Sequence, residues 1–199
     1  MRILVLLFIA FFTFDVNAQT EVTFPSKDGL EITADLYLAH PASHPMIILF
    51  HQARWSRGEY REIAPKLNKL GYNCIAIDQR SGGEVLGVTN KTYKRAVEKG
   101  VSTKYTAALK DMNAAIDHVK ENYPNAKKLI IWGSSYSSAL VLKIAGDRND
   151  VDAVLSFAPG EYFRDEGKPS NYIVQSAENI LVQAFITYAK NDKEKGWKI

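Results

Sequence analysis

The densest chemistry in this sequence lies in Gly133-Ser134-Ser135-Tyr136-Ser137. These residues follow the apolar run 129–132 and lead into an alanine- and leucine-rich stretch, 136–145. A strand, a sharp turn and a helix are the setting in which a serine is presented as a nucleophile. The turn brings the residues two before and two after that serine together, so both must be small. Gly133 and Ser137 meet this demand around Ser135, giving G-x-S-x-S, where the common form ends in glycine. Ser134 and Ser138 are poorer candidates, because Trp132 and Tyr136 are bulky members of their flanking pairs. Amides at the helix start would face a developing oxyanion. The competing reading is a serine-rich helix cap.

Other strand ends supply possible partners. His51-Gln52-Ala53 ends the run 46–50, where a second oxyanion amide belongs. Small Ala53 suits that role, with Gln52 as the alternative register. Arg54 and Trp55 follow as candidate substrate-binding residues, or as a solvated loop. Asp78, before Gln79-Arg80-Ser81-Gly82-Gly83, is expected to tie its loop down. Neither G-x-G-x-x-G nor a phosphate-binding G-x-x-x-x-G-K-[ST] is present. Asp192 lies just past the last apolar run, where a carboxylate would orient a histidine; a surface aspartate is the equal alternative, and Glu161 is the reserve acid. No histidine follows Asp192: the four, His40, His44, His51 and His118, all precede Ser135. His51 is expected to hold its loop and His118 to lie on a helix surface. His40 and His44 have i,i+4 spacing, but Pro41 and Pro45 argue against a helix, and no third ligand is nearby, so no metal site is expected.

The elements that must position these residues alternate. A hairpin is expected over 20–38, around Lys27-Asp28-Gly29. Strands are expected at 46–50, 73–77, 129–132, 151–157 and 180–188, and helices at 59–70, 102–123 and 136–145. Residues 81–100, with four glycines, read as loop. This pattern predicts an α/β fold: a mostly parallel, doubly wound sheet with an N-terminal antiparallel hairpin. In such sheets ligands bind beyond the carboxyl ends of the strands.

Composition narrows the class further. With 199 residues, 46% hydrophobic and 24% charged, the chain has the profile of one globular domain and not of a disordered chain. A formal net charge of +3 gives no reason to expect a nucleic-acid partner. A lone cysteine, Cys74, excludes a disulfide scaffold and a cysteine-built zinc site. Residues 1–18, with Arg2, an apolar core over 3–14 and a terminal Ala18, have the form of a cleaved signal peptide. The expectation is export to the periplasm or exterior, a domain over 19–199 and no membrane span after cleavage. Asn90-Lys91-Thr92 matches a glycosylation acceptor.

Taken together, the Ser26-Lys27-Asp28-Gly29 turn, Phe50-His51-Gln52-Ala53, Asp78-Gln79-Arg80-Ser81-Gly82, the Ser135 motif and Ala189-Lys190-Asn191-Asp192 resemble the α/β-hydrolase superfamily. Within it, they resemble the dienelactone-hydrolase-like and prolyl-oligopeptidase-like esterases. The resemblance implies that Ser135 attacks an ester carbonyl, that the Tyr136 and Ala53 amides hold the oxyanion, and that Asp192 orients the base. It implies a small ester-type substrate and no metal or organic cofactor. Family members usually continue through another strand, a loop with the catalytic histidine, and a helix; this sequence is expected to lack them. The expectation is therefore a secreted serine hydrolase without its histidine. The alternative is an inactive, hydrolase-like binding protein.

Overall fold

The computed structural model describes residues 19–188; the expected signal peptide and Asp192 lie outside the described residues. The hairpin forms between β1 (Gln19–Pro25) and β2 (Glu31–Tyr37). Its turn closes through Gly29 N–H to the Ser26 carbonyl at 2.9 Å, with Gly29 at φ 77°, a backbone that glycine alone adopts without strain.

β3 (Met46–Phe50) and β4 (Asn73–Ile77) are buried at every residue, as strands covered on both faces must be. β5 (Glu84–Val85) and β6 (Val88–Thr89) form a separate small hairpin. With β7 (Leu129–Ser134), β8 (Ala153–Phe157) and β9 (Gln183–Thr187), the described residues form a seven-stranded sheet in the order β1-β2-β4-β3-β7-β8-β9. From β4 to β9 the strands are parallel; β2 pairs β4 antiparallel, so the hairpin caps one side. The expected fold class is therefore the observed one. β9 is the far edge among the described residues, with Phe185 55% and nearby Leu181 95% exposed.

Among the described residues, five α-helices flank the sheet: α1 (Ala64–Lys69), α2 (Lys91–Glu98), α3 (Leu109–Asn122), α4 (Tyr136–Asp147) and α5 (Val174–Ala177). The period of two in β3 divides its side chains between two cores. Ile48 and Phe50 join Met112, Ile116, Leu140 and Ile144 from α3 and α4. Ile47 and Leu49 join Ala64, Cys74 and Ala76 on the α1 side. Each fully buried aliphatic side chain contributes roughly 1.5–3 kcal/mol. No helix among the described residues is long and apolar enough to cross a membrane.

Three expectations need correction. The helix expected at 59–70 is a 3₁₀ turn over Arg57–Tyr60, then α1, whose first turn holds Pro65, where a missing N–H costs nothing. The helix expected at 102–123 begins as a 3₁₀ turn over Tyr105–Ala108. The stretch 81–100 is not all loop, for it contains β5, β6 and α2. Asn90 caps α2, accepting from Tyr93 N–H at 2.7 Å. That helix buries only Thr92 and Ala96, so no stripe of large apolar residues marks it. The same burial of Asn90 removes it as a glycan acceptor.

Two buried arginines lock the loops onto this frame. Arg80, 1% exposed, pairs with Asp111 and Asp28 at 2.7 Å. Arg57 pairs with Asp78 at 2.7 Å and Asp35 at 2.9 Å. Asp78 also accepts the N–H groups of Arg57 and Lys91, at 2.9 and 2.8 Å, so it holds its loop. Breaking a buried pair strands a desolvated charge. Asp111→Ala is expected to lower stability by about 3–5 kcal/mol, read from urea unfolding.

Candidate active site

Ser135 stands between β7 and α4 with φ 55° and ψ −120°, a conformation that non-glycine residues rarely adopt. Its N–H donates to the Phe157 carbonyl at 2.9 Å, anchoring the turn to β8. Although Ser135 occupies the cap position of α4, its side chain makes no capping hydrogen bond. The cap reading of this serine is thereby removed. A Cβ on Gly133 would lie 2.4 Å from the Ser137 carbonyl oxygen and 2.6 Å from the Ser138 Cα. Those neighbours are backbone and cannot yield, so glycine is required at this place.

Tyr136 opens α4, so its N–H has no acceptor within the helix. Its phenol is buried and receives the Gln79 Nε2–H at 2.7 Å. Phe50 of β3 lies opposite Gly133 of β7, which sets the end of β3 beside the Ser135 turn. There Trp55 N–H closes a turn on the Gln52 carbonyl at 3.3 Å, and Arg54 has φ 67° where a turn of this form favours glycine. The Gln52 N–H is taken by Glu59 Oε2 at 2.7 Å, while the Ala53 N–H has no acceptor among the described residues. Of the two registers, Ala53 alone keeps a free amide.

Gly82 and Gly83 support this loop by having no side chains. A Cβ on either would come within 2.4 Å of the Trp55 or Arg54 carbonyl oxygen. Gly83 N–H donates to that Trp55 carbonyl at 2.8 Å. The side chains of Arg54 and Trp55 are exposed on the outside of the loop.

None of the histidines attends the serine. His51 is fully buried: its Nδ1 is bonded to the Gln52 carbonyl at 2.8 Å, and its Nε2 accepts the Gln79 N–H at 3.0 Å. Burial lowers its pKa from 6.5 to about 4. His118 stacks on Phe24, with ring centroids 4.3 Å apart. His40 and His44 stack on each other and bond the Asn68 and Gly71 carbonyls, before β4 begins and at the opposite end of the sheet from Ser135. Among the described residues no group of three His, Cys, Asp or Glu could hold a metal ion. Glu161 is spent as a cap, accepting the N–H groups of Ile173 and Val174, so it is not a reserve acid.

Sequence reasoning missed Glu59, which it treated only as the first residue of the helix expected at 59–70. Its carboxyl accepts from Gln52 and lies against the Ser134 hydroxyl, and burial raises its pKa. No spacing signal marked it.

Strand order, a tight turn at a serine after β7 and free amides beside it define an α/β-hydrolase. The sequence matches the serine aminopeptidase S33 family over residues 41–194, and the chain belongs to that family. It is similar to the quorum-quenching protein AidA of Acinetobacter baumannii, 26% identical over 148 residues, covering 72% of this chain and 44% of the relative. The chain thus spans less than half of that protein's length. The fold also resembles the esterase Pf2001 of Pyrococcus furiosus, with TM-score 0.65 and 17% identity over 86% of this chain and 71% of the other. The acylaminoacyl peptidase of Pyrococcus horikoshii gives TM-score 0.61 and 14% identity, over 86% of this chain and 32% of the other.

The bonding of His51 makes it neutral, with the proton on Nδ1. Its ring ¹⁵N shifts are expected to stay fixed from pH 8 to roughly pH 5, moving only near its lowered pKa. A transition near the ordinary 6.5 would contradict the burial. By linkage, its contribution to stability is full above 6.5 and lost as the pH falls toward 4, at most about 3 kcal/mol.

Proposed function

We propose that this chain carries the nucleophile and oxyanion site of an exported serine hydrolase that cleaves carboxylic esters or related acyl bonds of small molecules. The observation that carries the reading is the strained Ser135 with its hydroxyl unused as a cap, beside the free Ala53 amide and the α4 amino end. Ser135 Oγ attacks the carbonyl, and the Tyr136 and Ala53 amides hold the oxyanion. A histidine other than the four in this sequence takes the serine proton and returns it to the leaving group, and Asp192 orients that histidine. Water then releases the acyl group. Arg54 and Trp55 flank the acyl or leaving-group side, and the chemistry as drawn calls on no metal or organic cofactor.

Support comes from the names of two structural neighbours, an esterase and an acylaminoacyl peptidase, which both fit acyl-bond chemistry. Within the superfamily, the dienelactone-hydrolase-like and prolyl-oligopeptidase-like branch is our assignment. The second reading, a hydrolase-like binding protein without catalysis, is favoured by the engagement of the four histidines elsewhere.

A fluorophosphonate applied to the product of the full gene separates the two. Labelling is expected in the native protein and is expected to vanish in Ser135→Ala. Labelling that survives Ser135→Ala sinks the nucleophile assignment; a folded native protein that resists the probe favours the binding reading. Gly133→Ala, whose new methyl meets backbone, is expected to destabilise by roughly 1–3 kcal/mol and to slow labelling with it.

A further inference from the structure

We propose that Glu59 is a positioning residue for this site: its carboxyl joins the oxyanion loop to the nucleophile turn and fixes the distance between the Ala53 and Tyr136 amides. The inference rests on the roles given above to Ser135 and to those amides.

The end of β3 is where the sheet stops supplying partners. Its ladder with β4 and β7 runs out at Phe50, so the Gln52 N–H needs an acceptor from elsewhere. Glu59 provides it at 2.7 Å, from a 3₁₀ turn whose start is fixed by Ser56 and by the Arg57 ion pairs. The same carboxyl meets the hydroxyl of Ser134, the residue before the nucleophile. A carboxyl has two oxygens and can accept from two elements at once. A backbone carbonyl in this place would have no second oxygen to offer.

A second span runs parallel to the first. The Ser137 hydroxyl donates to the Phe50 carbonyl at 2.7 Å and accepts the Ser134 N–H at 3.0 Å. Tyr60, next to Glu59, donates its phenol to the same Phe50 carbonyl at 2.7 Å. The serine that departs from the usual glycine is therefore a cross-link between β3 and the turn. Around Phe50 and Gln52, groups from the 3₁₀ turn and from the Ser135 turn converge on three residues of backbone.

Burial makes the choice of an acid costly. Glu59 is half-buried, and that burial raises its pKa. A carboxyl kept under those conditions, bridging the two halves of a site, is better explained by placement than by fold stability. Among the described residues its carboxyl makes no hydrogen bond to the Ser135 hydroxyl, so its effect must pass through the backbone it holds.

The test uses p-nitrophenyl acetate and the full gene product, with Glu59→Ala, Glu59→Gln, Ser137→Gly and Ser135→Ala compared. Displacing an oxyanion donor without removing it is expected to lower kcat by about 10–100-fold, with KM within about threefold. Glu59→Gln, whose amide oxygen still accepts from Gln52 and whose amide N–H can donate to the Ser134 hydroxyl, is expected to recover most of kcat. Ser137→Gly cuts the second span and is expected to show the same kcat-weighted loss, smaller in size. Native kcat in Glu59→Ala, a loss confined to KM, or a Glu59→Gln as poor as Glu59→Ala overturns the proposal. If Glu59→Ala does not fold, Ser134→Ala removes one arm of the bridge and must show the same split; native kinetics there overturn it too. Activity surviving in Ser135→Ala would instead bring down the site reading and this inference with it. An inactive Ser135→Ala beside an unaffected Glu59→Ala removes the inference alone.

Discussion

The backbone reversal at Ser135 is the constraint on which the rest of the carboxyl end of the sheet depends. A serine at φ 55° carries strain of roughly 1–3 kcal/mol, which persists only where the surroundings impose it. The surroundings here do so from three sides. Gly133 lets the returning chain pass within van der Waals contact, the Phe157 carbonyl takes the Ser135 N–H, and the Ser137 hydroxyl fastens the turn to Phe50. One strained residue thereby fixes β7 against β3, β8 and α4.

A second kind of order comes from buried charge. Arg57 and Arg80 are almost wholly enclosed, and each is surrounded by carboxylates drawn from distant parts of the chain. Arg57 gathers Glu21, Asp35 and Asp78, one from each of β1, β2 and the end of β4. Arg80 gathers Asp28 of the hairpin turn and Asp111 of α3. Desolvating such ions is expensive, and replacing them with apolar residues is often neutral or better for stability. What they supply here is register. The hairpin and the loops after β3 and β4 can sit in one arrangement only, which holds the Gln52-to-Trp55 turn beside the serine.

Much of this frame was legible in the sequence, and the reasons differ from element to element. β3 and β4 announced themselves as continuous apolar runs, and the Asp28-Gly29 pair marked the hairpin. The turn at Ser135 was legible because its small-residue rule is steric and local. α2 was not, since it buries only Thr92 and Ala96 and rests on a cap by Asn90 that also serves His51 and Gln79. Glu59 was hidden for a related reason. Its meaning depends on Gln52 and Ser134, and the second lies 75 positions away in sequence, beyond any local pattern. Glu161 misled because a carboxylate after a strand looks alike whether it caps a helix or orients a base. The separation of Ala53 from Gln52 as free amide also needed coordinates, because it turns on which N–H is already bonded.

The two margins of the sheet are unlike. β1 carries Glu21, which is held by Lys91 and Arg57, so a foreign strand arriving there meets a fixed charge. β9 reads Gln-Ala-Phe-Ile-Thr, with no charge, no proline and Phe185 turned outward. Charged or proline-bearing margins discourage strand addition, and uncharged apolar ones invite it. A strand added beside residues 19–188, whether from further along the same chain or from another molecule, is therefore opposed by charge at β1 and meets no such obstacle at β9.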